Sequence, residues 1–168
     1  MNIDTLKNLL FFVILVLLQA LVLNHIHLFG YATPLLYVYF VLRARRDIPK
    51  WALLLWCFAL GLAVDAFNNT PGLATTSLTL VGLLQPYVLS LFLNRESADN
   101  LLPSIATLGW GKYLFYATII IFIQCFVIFS LEAFSFFNWL HWLLCIAGSF
   151  LLTLIIVLTI ENFRSDPA

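Results

Sequence analysis

The chain has 168 residues, of which 63% are hydrophobic and only 10% charged, with 16 Phe and no net formal charge. A soluble domain of this size could not hide so much apolar surface, whereas lipid solvates it without cost. No Lys/Arg-rich block is long enough for a nucleic-acid footprint, so nucleic acid is excluded as a partner. The composition predicts one all-α integral membrane domain, residues 1–168, with little mass outside the bilayer.

The first apolar run, about 8–24, is interrupted by Gln19. Lys7 followed by an apolar core resembles a secretory signal. Asn24-His25-Ile26-His27-Leu28 holds no small-x-small cleavage site, so the run is read as a retained first span. The second, about 29–42, contains Gly30 and Pro34. A bilayer core of about 30 Å needs roughly 20 helical residues. Segment two is therefore either tilted and kinked at Pro34 or preceded by a non-helical stretch at the membrane edge. After the basic loop Arg43–Lys50 come spans at about 51–67 and 73–93, the latter with Gln85-Pro86. The longest polar stretch, Asn94–Lys112, precedes a span at about 113–131 that contains Gln124. An aromatic connection with Glu132 leads to a last span at about 139–160, and Glu161–Ala168 reads as a polar tail.

Positive charge orients the bundle. Threading six spans with the N-terminus inside puts Lys7, Arg43, Arg45, Arg46, Lys50, Arg95, Lys112 and Arg164 on the cytoplasmic side, which is every Lys and Arg in the chain. Both termini are then cytoplasmic. Trp51 and Trp110 fall at the inner interface, and Trp139 and Trp142 at the outer one, as belt residues do. Arg43, Arg45, Arg46 and Lys50 form a topology-setting basic loop that touches anionic membrane lipid.

A rise of about 1.5 Å per residue puts Asp65 roughly 21 Å above Trp51, and Gln19 and Gln124 each about 18 Å above Lys7 and Lys112. Three polar side chains thus reach one layer in the outer half of the bilayer, while Gln85 sits nearer the inner side. The glutamines either make interhelical hydrogen bonds or line, with Asp65, an outward cavity or partner-binding notch. Asp65 either caps the Asn68–Pro71 turn or presents its carboxylate to a ligand or partner. An ionised carboxylate without a partner is not expected at that depth.

Catalytic patterns are missing. There is no Ser or Cys nucleophile beside a His, no paired catalytic carboxylates, no HExxH, no P-loop and no dinucleotide fingerprint. No enzyme activity and no cofactor are expected. His25, His27 and His141 make a poor metal signature, because no fourth ligand is specified. Cys57, Cys125 and Cys145 lie within apolar runs, form no CxxC pair, and read as small packing residues.

Three stretches resemble a known family. Ala32-Thr33-Pro34-Leu35-Leu36 opens segment two, Gly61-Leu62-Ala63-Val64-Asp65-Ala66-Phe67 closes span three, and Pro71-Gly72-Leu73 opens span four. Together with the length and span count, they resemble the rod shape-determining protein MreD family. Leu23-Asn24-His25-Ile26-His27-Leu28-Phe29-Gly30 looks like its Bacteroidetes-type version. Pro34, Gly61, Asp65, Gly72 and Leu73 are the positions that match the family pattern. The resemblance implies a non-catalytic, multi-pass subunit of the bacterial inner membrane. It implies binding to MreC, and work beside a peptidoglycan polymerase and a class B transpeptidase of the elongation complex, with MreB filaments engaged indirectly. It also implies a fold like the six-helix substrate-binding subunits of energy-coupling-factor transporters. The competing expectation is that same fold used as a substrate-binding subunit for vitamin-type uptake.

Overall fold

Lipid offers no hydrogen-bond partner to a peptide group, so an apolar chain of this kind folds as helices that satisfy their own backbones. A computed structural model describes residues 3–21, 33–46, 48–93, 102–132 and 139–165. Among them are α1 (Ile3–Leu21), α2 (Val38–Leu42), α3 (Lys50–Asn68), α4 (Leu73–Phe92), α5 (Ile105–Leu108), α6 (Trp110–Glu132) and α7 (Trp139–Ser165). Four of these, α3, α4, α6 and α7, are long and apolar enough to cross a membrane. His25, His27 and Arg95 lie outside the described residues, as do Asp47 and the connection at 133–138.

The α3–α4 hairpin is set by its turn. Helix α3 ends on Asn69 in the left-handed region at φ 58°, with its N–H donating to the Asp65 carbonyl. Gly72, at φ 88°, is the N-cap of α4. Only glycine adopts that backbone readily. The two helices then approach backbone to backbone. A Cβ on Gly61 would lie 2.4 Å from the Thr75 Cα, and one on Gly82 would lie 2.6 Å from the Cys57 sulfur. Cys57, Gly61 and Asp65 follow at i, i+4 and i+8, so small and polar groups share the face that meets α4.

Helix α4 packs against α6, α6 against α7, and α1 against α3, with α2 touching both α4 and α6. Phe11 and Phe12 of α1 meet Phe40 of α2, and Phe12 and Phe40 meet Trp56 of α3, in an aromatic cluster. The segment 33–44 is among the most deeply buried chain in the molecule, with Tyr37, Val38, Val41 and Leu42 almost wholly enclosed.

Segment two takes the second of its two sequence readings, the non-helical stretch, and the end of the chain departs from the expectation. In the expected span 29–42, the described residues are not one continuous helix. Residues 33–35 carry no helical structure, 36–37 form a turn, and helix covers only Val38–Leu42. Pro34 therefore does not kink a helix; it lies in the non-helical part. Pro86, in contrast, sits inside α4. The departure is at the end of the chain. Helix α7 runs past Ile160 to Ser165, so the expected polar tail begins as helix and Glu161 is buried within the bundle.

Candidate functional site

Non-helical backbone at membrane depth is tolerated only where protein or a water-filled cavity satisfies it. In segment two, side chains of this chain satisfy the non-helical backbone. In extended chain, alternate N–H groups point to opposite sides at about 3.3 Å per residue. The Thr33 and Leu35 N–H groups donate to Ser149 Oγ and Thr153 Oγ1 of α7, each at 3.0 Å. Two extended residues cover about 6.6 Å and four helical residues about 6 Å, so the spacings match. The groups facing the other way go to α1. Gln19 Nε2 donates to the Pro34 carbonyl at 2.9 Å, and the Leu36 N–H donates to Gln19 Oε1 at 3.0 Å. One side-chain amide thus occupies the place of a neighbouring strand's peptide group.

The remainder of segment two is held in the same manner. Gln124 Nε2 of α6 donates to the Tyr37 hydroxyl at 3.2 Å and to Ser77 Oγ of α4 at 2.9 Å. The Tyr39 hydroxyl donates to Glu161 Oε2 at 2.5 Å, and Arg164 pairs with the same carboxylate at 3.4 Å. The Tyr116 hydroxyl donates to the Leu42 carbonyl at 3.3 Å. Gln85 Nε2 donates to the Tyr116 hydroxyl at 3.0 Å and to the Ala44 carbonyl at 3.4 Å. Helices α1, α4, α6 and α7 all direct buried polar side chains at one segment. These bonds also fix direction. Residues 33–44 run parallel to α4 and α7 and antiparallel to α6. From Ser149 to Glu161 is about 18 Å of helix, matched by the short run Thr33–Tyr39 because extended backbone and the tyrosine's reach both add length.

Asp65 does something else. Its Oδ1 accepts from the Ala74 N–H at 2.9 Å and the Thr70 hydroxyl at 3.2 Å. Its Oδ2 accepts from the Thr75 N–H at 2.9 Å and the Thr75 hydroxyl at 2.6 Å. Ala74 and Thr75 are the second and third residues of α4, whose N-cap Gly72 has no side chain to satisfy them. The carboxylate supplies the missing N-cap from the neighbouring helix, and the negative charge faces the positive end of the α4 dipole.

Gln19, Asp65 and Gln124 are 1%, 4% and 0% exposed, so they do not line an open notch. Each is held by its own partners: Gln19 by Leu36, Gln124 by the adjacent Tyr37 and by Ser77, and Asp65 by Thr75. Gln124 Oε1 is buried without a donor. Of the family-pattern positions, Gly61, Asp65 and Gly72 build the α3–α4 hairpin, Leu73 is the first residue of α4, and Pro34 presents its carbonyl to Gln19. Among the basic-loop residues, the Arg43 guanidinium stacks over Phe11 at 4.7 Å, and Lys50 lies over Tyr87 at 4.5 Å. Partial burial, with Arg164 nearby, lowers the Arg43 pKa from its usual value.

Sequence reasoning passed over Glu161, Ser149 and Thr153. The signal was present: with Val157 they recur every four residues and so mark one face of α7. On the outer side of the hairpin, an apolar groove of about 500 Å³ runs between α3 and α4, lined by Leu54, Phe58, Thr76, Thr79, Leu80 and Leu83 among others. Comparison with family models, curated proteins and solved structures returns no match.

Proposed function

We propose that the chain is a non-catalytic, multi-pass subunit of the bacterial inner membrane that binds MreC and helps organise lateral peptidoglycan synthesis and cell shape. The motif resemblance of residues 32–36, 61–67 and 71–73 suggests the family. The observation that carries the reading is the groove between α3 and α4. It lies on the hairpin built by those motif residues, and its length of apolar side chains with Thr76 and Thr79 suits a partner's transmembrane helix, which packs best against small and hydroxylated surfaces. The polymerase, the transpeptidase and, indirectly, MreB filaments follow as further partners.

We also infer six crossings with both termini cytoplasmic, segment two being the second. The inside placement of all Lys and Arg residues supports this. So does the antiparallel relation of residues 33–44 to α6, and of α3 to α4. An extended stretch covers about 3.3 Å per residue against 1.5 Å for helix, which lets a short segment go further across the bilayer.

The alternative is a substrate-binding subunit for vitamin-type uptake, and the broken segment two favours it, since discontinuous spans are a transporter device. Against it, the N–H groups of Thr33, Leu35 and Leu36 are already held by this chain's own side chains.

Purification of the tagged protein in mild detergent, with identification of what accompanies it, separates the two. Recovery of MreC and the peptidoglycan synthases, with a disulfide trapped between Phe58→Cys and a cysteine in the MreC span, is the expected result. Recovery of an ATPase module or a bound metabolite without cell-wall partners would overturn the proposal.

A further inference from the structure

The loop between α2 and α3 carries four cations, Arg43, Arg45, Arg46 and Lys50, against the single carboxylate of Asp47. Three of them, Arg45, Arg46 and Lys50, line a cleft of about 80 Å³ beside the start of α3. Its inner wall is apolar, formed by Leu53, Pro86 and Leu89 among others, and no Asp or Glu among the described residues lines it. Drug-sized ligands take pockets of roughly 300–1,000 Å³, so this cleft is too small for a vitamin or nucleotide and suited to one tetrahedral oxyanion.

Three further features set its chemistry. Helix α3 begins with Pro49 as N-cap, makes no side-chain cap, and has no acidic residue in its first turn. Among the described residues, no carboxylate in the first turn compensates the positive end of this 19-residue helix. The Lys50 ammonium is steadied against α4, 4.5 Å from the Tyr87 ring centroid and 3.2 Å from its hydroxyl. Trp51, next in sequence, is 70% exposed, and Trp110 at the same end of the bundle is 53% exposed. Exposed tryptophans of this kind sit at headgroup level, which puts the cleft where lipid phosphates are.

We propose that this cleft holds the phosphate of an anionic phospholipid. Arg45, Arg46, Lys50 and the N-terminus of α3 receive the phosphate, while the glycerol and acyl chains stay outside the cleft, in the bilayer. The site is independent of the function proposed above. Basic pockets between spans on the cytoplasmic side are a general means of binding such lipids.

The test is native mass spectrometry and thermal unfolding of the full chain in detergent, titrated with phosphatidylglycerol, phosphatidylcholine or inorganic phosphate. Phosphatidylglycerol is expected to stay bound and raise the unfolding temperature, with phosphatidylcholine much weaker. Arg45→Gln/Arg46→Gln should lower its apparent affinity roughly 30-fold. Lys50→Gln, at an exposed position, should lower it severalfold. Arg43→Gln, outside the cleft, should not. Equal retention of both lipids, or an unchanged affinity in the double and Lys50 variants, would overturn the site. Equal protection by inorganic phosphate alone would mean a soluble-anion site and overturn its assignment to lipid.

Discussion

Asp65 and Thr75 are joined twice, the Thr75 N–H and hydroxyl both donating to Oδ2, at 2.9 and 2.6 Å. One turn earlier on α3, Gly61 leaves no room for a side chain against the same threonine. A charge and a missing side chain, four residues apart, thus lock two helices in one register.

Replacing Asp65 by Ala leaves the Ala74 and Thr75 N–H groups buried without an acceptor, at about 1–3 kcal/mol each. The expected outcome is a lower unfolding temperature in detergent and a lower steady-state protein level. Asp65→Asn keeps one acceptor oxygen and should fall between wild type and Ala. An Asp65→Ala protein that is normally stable but loses its partners would show instead that the carboxylate is a contact residue.

The two glycines of the hairpin should respond differently. Gly61→Ala drives a Cβ into backbone, so overpacking of about 1–3 kcal/mol or more is expected, with no single side-chain change relieving it. Gly82→Ala meets only the Cys57 side chain. Cys57→Ala in the same chain should therefore restore most of the lost thermal stability, and a double-mutant cycle measures the coupling.

Gln19→Leu removes the partner of the Pro34 carbonyl and the Leu36 N–H together, at about 2–6 kcal/mol for two buried backbone groups. Thr153→Val removes the partner of one, at about 1–3 kcal/mol. Hydrogen exchange reports them separately: Leu36 should lose protection in the first variant and Leu35 in the second. Equal protection in both would show that segment two does not depend on these side chains.

Tyr39→Phe takes away a hydrogen bond to a buried carboxylate, which is worth about 1.5–3 kcal/mol. Among the described residues, Arg164 is then the one partner of the Glu161 carboxylate. The unfolding temperature should fall, and adding Glu161→Gln should cost much less in the Tyr39→Phe background than in wild type, because the two residues act as one unit.

How much of this was readable beforehand depends on the range of each interaction. Composition alone points to lipid, because a soluble fold of this size has too little interior for so large an apolar fraction, and four helices are long and apolar enough to cross a membrane. The Asn69–Gly72 turn and the extents of α3 and α4 are local, written in neighbouring residues. Helical rise is also constant, which is why the sequence alone suggests one layer for Gln19, Asp65 and Gln124. What those side chains bind is not local. Gln19 reads equally well as a partner for another helix or for a ligand, until the Pro34 carbonyl and the Leu36 N–H are seen to lie against it. Glu161 reads as tail until α7 is seen to continue and Tyr39 to reach it. Only the tertiary structure decides that Gln19, Gln85, Gln124, Ser149, Thr153 and Glu161 serve one broken segment. The reason is physical: a peptide group without a helical partner must find one in a medium that offers none, and which side chains answer depends on how distant parts of the chain pack.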